Sequence, residues 1–350
     1  MNRSNSTAGD SLGRGPYIIL GLIETICFSV GTPGSVIILS YFIHKILRTR
    51  EKSASTLLFT CISFVDIVIS LQSFSMAVTS FNFGKEMLFA NKLHCHLWGW
   101  SDSINDIMSI LLIAILSVAR TVSLAFPFYK VRRIHVIIPA AVLLVLVTFQ
   151  FSCPFFFGEK PGYEFGGYDC EVYLSRVFTK NSFWYKFYQR MIAFGCHLAP
   201  FIVICISCCV SVYELRADNA TLGNSASAAG KIKRDATITI LILTVGYISL
   251  NLPMICWQII LFHYPKFLYL KVGKYIQLVD LIVQIILVHL NSLFNIFVYF
   301  YRMKDLRDHT KRLFCGAKEE LFTQSLNISR RVTVSNIPQY ETGLNSGTII

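Results

Sequence analysis

The chain has 350 residues, of which 54% are hydrophobic and 15% charged, with a formal net charge of +12 and a mean hydropathy of +0.55. Soluble domains run near 45–50% apolar and about 25% charged, so a water-soluble fold has nowhere to bury this excess and a soluble enzyme is excluded. The positive charge is explained better by Lys- and Arg-rich cytoplasmic connectors of a membrane protein than by nucleic acid.

Residues 1–16 are polar and carry no apolar signal run, so an extracellular N-terminal segment is expected there. Asn2-Arg3-Ser4 and Asn5-Ser6-Thr7 are glycosylation sequons. Seven apolar stretches follow: Tyr17–Ile43, Thr56–Ser80, Leu97–Phe126, Val136–Phe157, Tyr185–Tyr213, Ala236–Phe262 and Val272–Tyr301. Each reaches the roughly 20 residues that a membrane-spanning helix needs. Backbone amides in lipid need partners within their own segment, so all seven are expected to be helices. The expected fold is an all-α seven-transmembrane bundle over 17–301. A short amphipathic juxtamembrane eighth helix follows over 302–315, then a disordered polar tail over 316–350.

Charge in the connectors sets the orientation. Lys45, Arg48, Arg50 and Lys52 lie in the first connector, and Lys130, Arg132 and Arg133 in the third. Arg216, Lys231, Lys233 and Arg234 lie in the fifth, and Arg302, Lys304, Arg307, Lys311 and Arg312 open the tail. The even connectors are less basic, although the fourth holds Lys160, Arg176 and Lys180. The expected protein is a multi-pass plasma-membrane protein, N-terminus outside and C-terminus in the cytoplasm. Sequons at Asn219 and Asn327 then fall on the cytoplasmic side and are expected to stay unmodified.

Of eleven cysteines, Cys27, Cys61, Cys196, Cys205, Cys208, Cys209 and Cys256 lie inside apolar stretches, where they act as small hydrophobes. No Cys/His set suggests zinc. Cys95 starts the third span and Cys170 lies in the fourth connector, both on the oxidising side. A bridge between them would pin the long loop to the bundle; the alternative is two free thiols. Cys315, just past the basic-apolar stretch 302–314, is a juxtamembrane palmitoylation candidate.

Ionisable and amide groups inside spans are costly and mark function. The second span carries Asp66, and the third carries Asp102, Asp106, Ser109 and Arg120. The seventh carries His289, Asn291, Ser292, Asn295 and Tyr299. Positions 102, 106 and 109 share one helix face, which must look into the bundle. Arg120 lies about 16 Å further along the same helix. Such a polar face suits either a signalling bundle or a transport path.

The run NSLFNIFVYFY (291–301) resembles the Asn-Ser-x-x-Asn-Pro-x-x-Tyr signature of the rhodopsin-like (class A) G-protein-coupled receptors, with Ile296 in place of proline. Cys95 and Arg120 keep the family's spacing between helix 3 cysteine and arginine, and Pro127 follows at the family's distance. Asp66, Pro200 and Pro253 match the family's residues in helices 2, 5 and 6. The match spans 17–315. It implies a receptor without enzymatic activity that binds an outside ligand and opens a cytoplasmic cavity for a heterotrimeric G protein. Arg120, Pro253 and Tyr299 are then the activation residues. Asp66, Ser109, Asn291, Ser292 and Asn295 match the family's sodium pocket, and no other cofactor or metal is implied.

Asp102 falls where amine receptors place their counter-ion, with Asp106 a turn deeper, His289 facing them and Asn251 at the helix 6 switch. These four residues are the ligand-binding candidates. Ile192, Ala193, Cys196, Met254 and Ile255 depart from the rest of the amine pattern. The expectation is therefore a cationic, amine-like ligand. A basic peptide guided by Glu159, Glu164, Asp169 and Glu171 is the alternative, and a seven-helix cation transporter or channel using Asp66, Asp102 and Asp106 ranks behind it. A retinal protein would need lysine at His289.

The family's acid-Arg-Tyr motif reads Ala119-Arg120-Thr121, and Lys233 stands where some members place a second acid. Both acidic restraints on Arg120 are missing, which predicts raised basal signalling. Asn251 replaces the helix 6 tryptophan, Cys208 a helix 5 tyrosine and Ser35 the helix 1 asparagine. In the tail, Arg330-Arg331-Val332-Thr333, Ser325, Ser329 and Ser335 are kinase and arrestin candidates. Thr348-Ile349-Ile350 resembles a PDZ ligand.

Overall fold

The computed structural model describes residues 14–48, 53–82, 92–126, 128, 129, 131–157, 164, 165, 170, 171, 190–222, 228–263, 279 and 282–314. The expectations for Asn2, Asn5, Cys315 and the tail over 316–350 lie outside these residues, as do those for the side chains of Cys170, Asn219 and Lys233.

The helices are α1 (Arg14–Arg48), α2 (Ala54–Phe81), α3 (Lys92–Ala125), α4 (Ile134–Phe157), α5 (Ala199–Leu222), α6 (Ala228–His263) and α7 (Leu287–Arg302). The first six are long and apolar enough to cross a membrane. α7 is lengthened by a π-helical turn, Ile282–Ile286, and the two run unbroken from 282 to 302. At helical rise that is about 30 Å, close to the thickness of a bilayer core. Residues 304–314 form a further helix, α8.

Several helices outrun the apolar stretches that announce them. α6 begins at Ala228 and carries Lys231, Lys233 and Arg234 within its first turns. Hydropathy marks where hydrocarbon ends, whereas the helix continues as long as its backbone bonds do. α5 opens with another π-helical segment, Met191–Leu198, whose Ala199 N–H donates to the Phe194 carbonyl five residues back. Pro200 follows at once and has no N–H to offer Cys196, so the ordinary ladder is already broken there.

α3 is the central strut. It packs against α2, α4, α5 and α6, and α7 closes the ring against α1, α2 and α6. In α3, 61% of the apolar window is buried, against 17% in α4, which turns Val142, Val145, Leu146 and Phe149 outward. Close approach of α1 and α7 depends on Gly34: a Cβ there would sit 2.7 Å from Ile296 Cγ2. Ile296, which stands for the family's proline, thus packs as a buried side chain against α1. Tyr299 is held between α1 and α2 by edge contacts with Phe42 (6.1 Å) and Phe59 (5.5 Å).

The all-helical expectation needs one addition. Glu164–Phe165 (β1) and Cys170–Glu171 (β2) form a short antiparallel hairpin, Glu164 opposite Glu171 and Phe165 opposite Cys170. Both strands lie against α3. Cys95, near the start of α3, is disulfide-bonded.

Candidate functional site

Three polar assemblies follow one another along α3. The first, towards Cys95, is ionic. His289 on α7 is buried, and its Nδ1 donates to Glu24 Oε2 on α1 at 2.6 Å. Glu24 is wholly buried, and its other carboxylate oxygen has no partner among the described residues. Asp102 and Asp106 are half-buried and share an electrostatic neighbourhood with His289. Gln72 on α2 holds Asp102 twice: its amide nitrogen donates to Asp102 Oδ1 at 3.3 Å and its oxygen accepts from the Asp102 backbone N–H at 3.0 Å. That amide orientation is the one in which both groups are satisfied.

Asp102, Asp106 and His289 lie within electrostatic reach of one another, and the structure adds Glu24 and Gln72, which sequence reasoning does not single out. A lone acid within the apolar run GLIETICF is the signal that reveals Glu24, because an uncompensated charge in a span needs a partner. Gln72 carries no charge and leaves no such trace. Asn251 is buried, but its amide nitrogen donates to the Tyr247 carbonyl of its own helix at 3.0 Å. The Tyr247 hydroxyl is fully buried without a partner and lies within electrostatic reach of Asp106.

The second assembly lies midway. Asp66, Ser109, Asn291, Ser292 and Asn295 are all buried. Asn295 Nδ2 donates to both Asp66 oxygens, at 3.4 and 3.2 Å. Ser292 Oγ donates to the Asp66 carbonyl at 3.2 Å and sits 3.4 Å from Ser70 Oγ. Ser109 Oγ and Asn291 Oδ1 are buried without partners among the described residues. Orphaned buried oxygens call for an explanation. Oxygen donors of this kind suit a hard cation.

The third assembly, at the far end, is built from hydroxyls. Arg120 Nε donates to Thr237 Oγ1 on α6 at 2.8 Å, and a terminal guanidinium nitrogen donates to the same oxygen. Thr121 Oγ1 is 3.1 Å from both the Ser207 carbonyl and Ser211 Oγ on α5. Ser117 Oγ lies 3.3 Å from Thr244 Oγ1 on α6. A cavity of ≈ 10 Å³ sits among Arg120, Cys208, Ser211 and Thr237, about the space one water needs. Cys208 is much smaller than the tyrosine the family pattern leads one to expect there. The two acids are absent from the sequence, and in the structure a threonine on α6 holds the guanidinium. Pro253 lies inside α6, which continues through it. Tyr299 is buried, its hydroxyl unpartnered.

Comparison with known proteins bears on the family and the fold. Residues 33–299 match the family model described as 7 transmembrane receptor (rhodopsin family). The fold is similar to the crystal structure of squid rhodopsin, with a TM-score of 0.66 at 16% identity over 86% of each chain. No curated protein matches the sequence.

Proposed function

Because the chain belongs to the rhodopsin family of seven-transmembrane receptors, we propose that it binds an extracellular cation at Asp102 and Asp106 and signals through Arg120 to a heterotrimeric G protein. The observation that carries this reading is one helix, α3, with two carboxylates inside the bundle at one end and a restrained arginine at the other. A buried carboxylate binds an ammonium strongly because the pair interacts through low dielectric. The ligand acts by population shift: it must bind the state with Arg120 released better than the state with Arg120 held.

In this reading the N-terminus is outside, the Cys95 end of α3 faces the ligand, and Cys95 pairs with Cys170 on the hairpin. A sodium ion at Asp66, Ser109, Asn291, Ser292 and Asn295 stabilises the resting state. Thr237 supplies a neutral restraint in place of an acid, so basal signalling is raised. Arrestin and kinases act on the tail.

A basic peptide is the second reading. It is favoured by the hairpin register, which sets Glu164 directly across from Glu171.

The deciding experiment is a G-protein activation screen in cells with amine and peptide libraries, repeated with Asp102→Ala. Amine responses that vanish in the variant support the cation site. Amine responses that persist there overturn it, and peptide-only responses transfer the function to the hairpin.

A further inference from the structure

The cluster at the Cys95 end of α3 carries more negative charge than its own side chains neutralise. Glu24, Asp102 and Asp106 are three carboxylates, and His289 is the one base within their electrostatic reach among the described residues. His289 is committed to Glu24 by the 2.6 Å bond. Asp102 is held by a neutral amide, Gln72. Asp106 accepts no hydrogen bond among the described residues, and the buried Tyr247 hydroxyl, within its electrostatic reach, also lacks a partner there. A half-buried carboxylate and a buried hydroxyl, each without a hydrogen-bond partner and within electrostatic reach of one another, leave room for a further polar group.

A metal ion does not fit that place. Among the described residues, no three His, Cys, Asp or Glu side chains converge closely enough to hold one. The negative charge is spread along a helix face instead: Asp102 and Asp106 are four residues apart, which places their Cβ atoms about 5–6 Å from each other. The matching positive charge must be spread over a similar distance.

We propose that the ligand of this site is an organic dication, a short flexible diamine whose two ammonium groups are taken separately by Asp102 and Asp106. The Tyr247 hydroxyl accepts a hydrogen bond from the ammonium at Asp106. The Glu24–His289 pair fills the α1–α7 side of the cluster, so that the imidazole cannot turn to Asp106 and compete with the second ammonium. A monoamine leaves one half-buried carboxylate without a counter-charge, and this penalty makes the site selective. The proposal rests on the cation-binding reading of Asp102 above.

The test uses the full-length receptor in lipid nanodiscs, with thermal stabilisation read against concentrations of cadaverine and of n-pentylamine. Cadaverine is expected to stabilise the wild type at concentrations roughly thirtyfold lower or more, the scale of removing one partner from a buried charge pair. Asp106→Asn is expected to erase that difference by bringing cadaverine to the concentration range of n-pentylamine. Tyr247→Phe preserves the packing and is expected to weaken cadaverine alone, which keeps the test open if the aspartate variant does not fold. Equal midpoints for the two amines in the wild type overturn the dication and leave a monocation site standing. Stabilisation by neither amine overturns both readings. A cadaverine preference that survives in Asp106→Asn and in Tyr247→Phe overturns the assigned geometry.

Discussion

The two halves of α3 are built from different chemistry. Towards Cys95 the helix meets an ionic cluster in which Glu24 and His289 join α1 to α7 across the bundle. Beyond Ser117 it meets hydroxyls, with Arg120 the one charged member, and each link joins α3 to α5 or α6. An ion pair out of water is all-or-none: intact it is neutral to the fold, and with one member removed it leaves a costly charge. Neutral hydrogen bonds contribute about 0.5–1.5 kcal/mol each and break one at a time. The first half is therefore a rigid frame for a ligand, and the second can rearrange at small cost. Movement of α5 and α6 against α3 asks for a structure of that second kind.

That contrast can be broken most forcefully at Glu24. Glu24→Ala removes the hydrogen-bonded partner of the buried His289 and is expected to cost about 3–5 kcal/mol, seen as a large drop in the thermal midpoint of the purified receptor. Replacing both Glu24 and His289 by leucine should restore most of the loss, since apolar packing can stand in for a buried pair. A single variant that melts like the wild type would remove the ionic frame from the comparison.

A smaller effect is expected at Thr237. Hydrogen bonds to charged groups contribute about 1.5–3 kcal/mol, so Thr237→Ala should raise ligand-free G-protein activation roughly tenfold at saturable expression. Thr237→Glu should lower it below the wild type by returning an acid to Arg120. If neither variant changes basal activity, the hydroxyl does not hold the resting state.

Asp66→Asn addresses the junction between the halves. Couplings between sites are ordinarily about 1–3 kcal/mol, so replacing sodium by a bulky organic cation should change agonist affinity about fivefold or more in the wild type and leave the variant unmoved. Sodium dependence that survives in the variant would place the ion elsewhere.

The smallest effect belongs to Ser117→Ala, which removes one neutral bond to Thr244 and should cost about 0.5–1.5 kcal/mol. Its thermal midpoint should fall far less than that of Glu24→Ala. A loss of equal size would show that the two halves are equally stiff.

Legibility differed between these regions for a physical reason. Asp102, Asp106 and Ser109 share a face by helical spacing alone, and the structure keeps them on it. The Asn295–Asp66 contact follows from a motif whose order along the chain is preserved. The role of Glu24 depends on a neighbour 265 residues away, and no periodicity within either helix carries that distance. Thr237 was hidden for a second reason: threonine is common in helices, and only the approach of Arg120 gives its hydroxyl a task.

The sequence by itself determined the membrane class, the family and the polar face of α3, because apolar run length, charge in connectors and helical spacing are properties of a single segment. Only the tertiary structure decided which charges are spent on each other and which remain for a ligand, because pairing energy depends on separation and burial, and both are created when α1, α3, α6 and α7 are brought side by side.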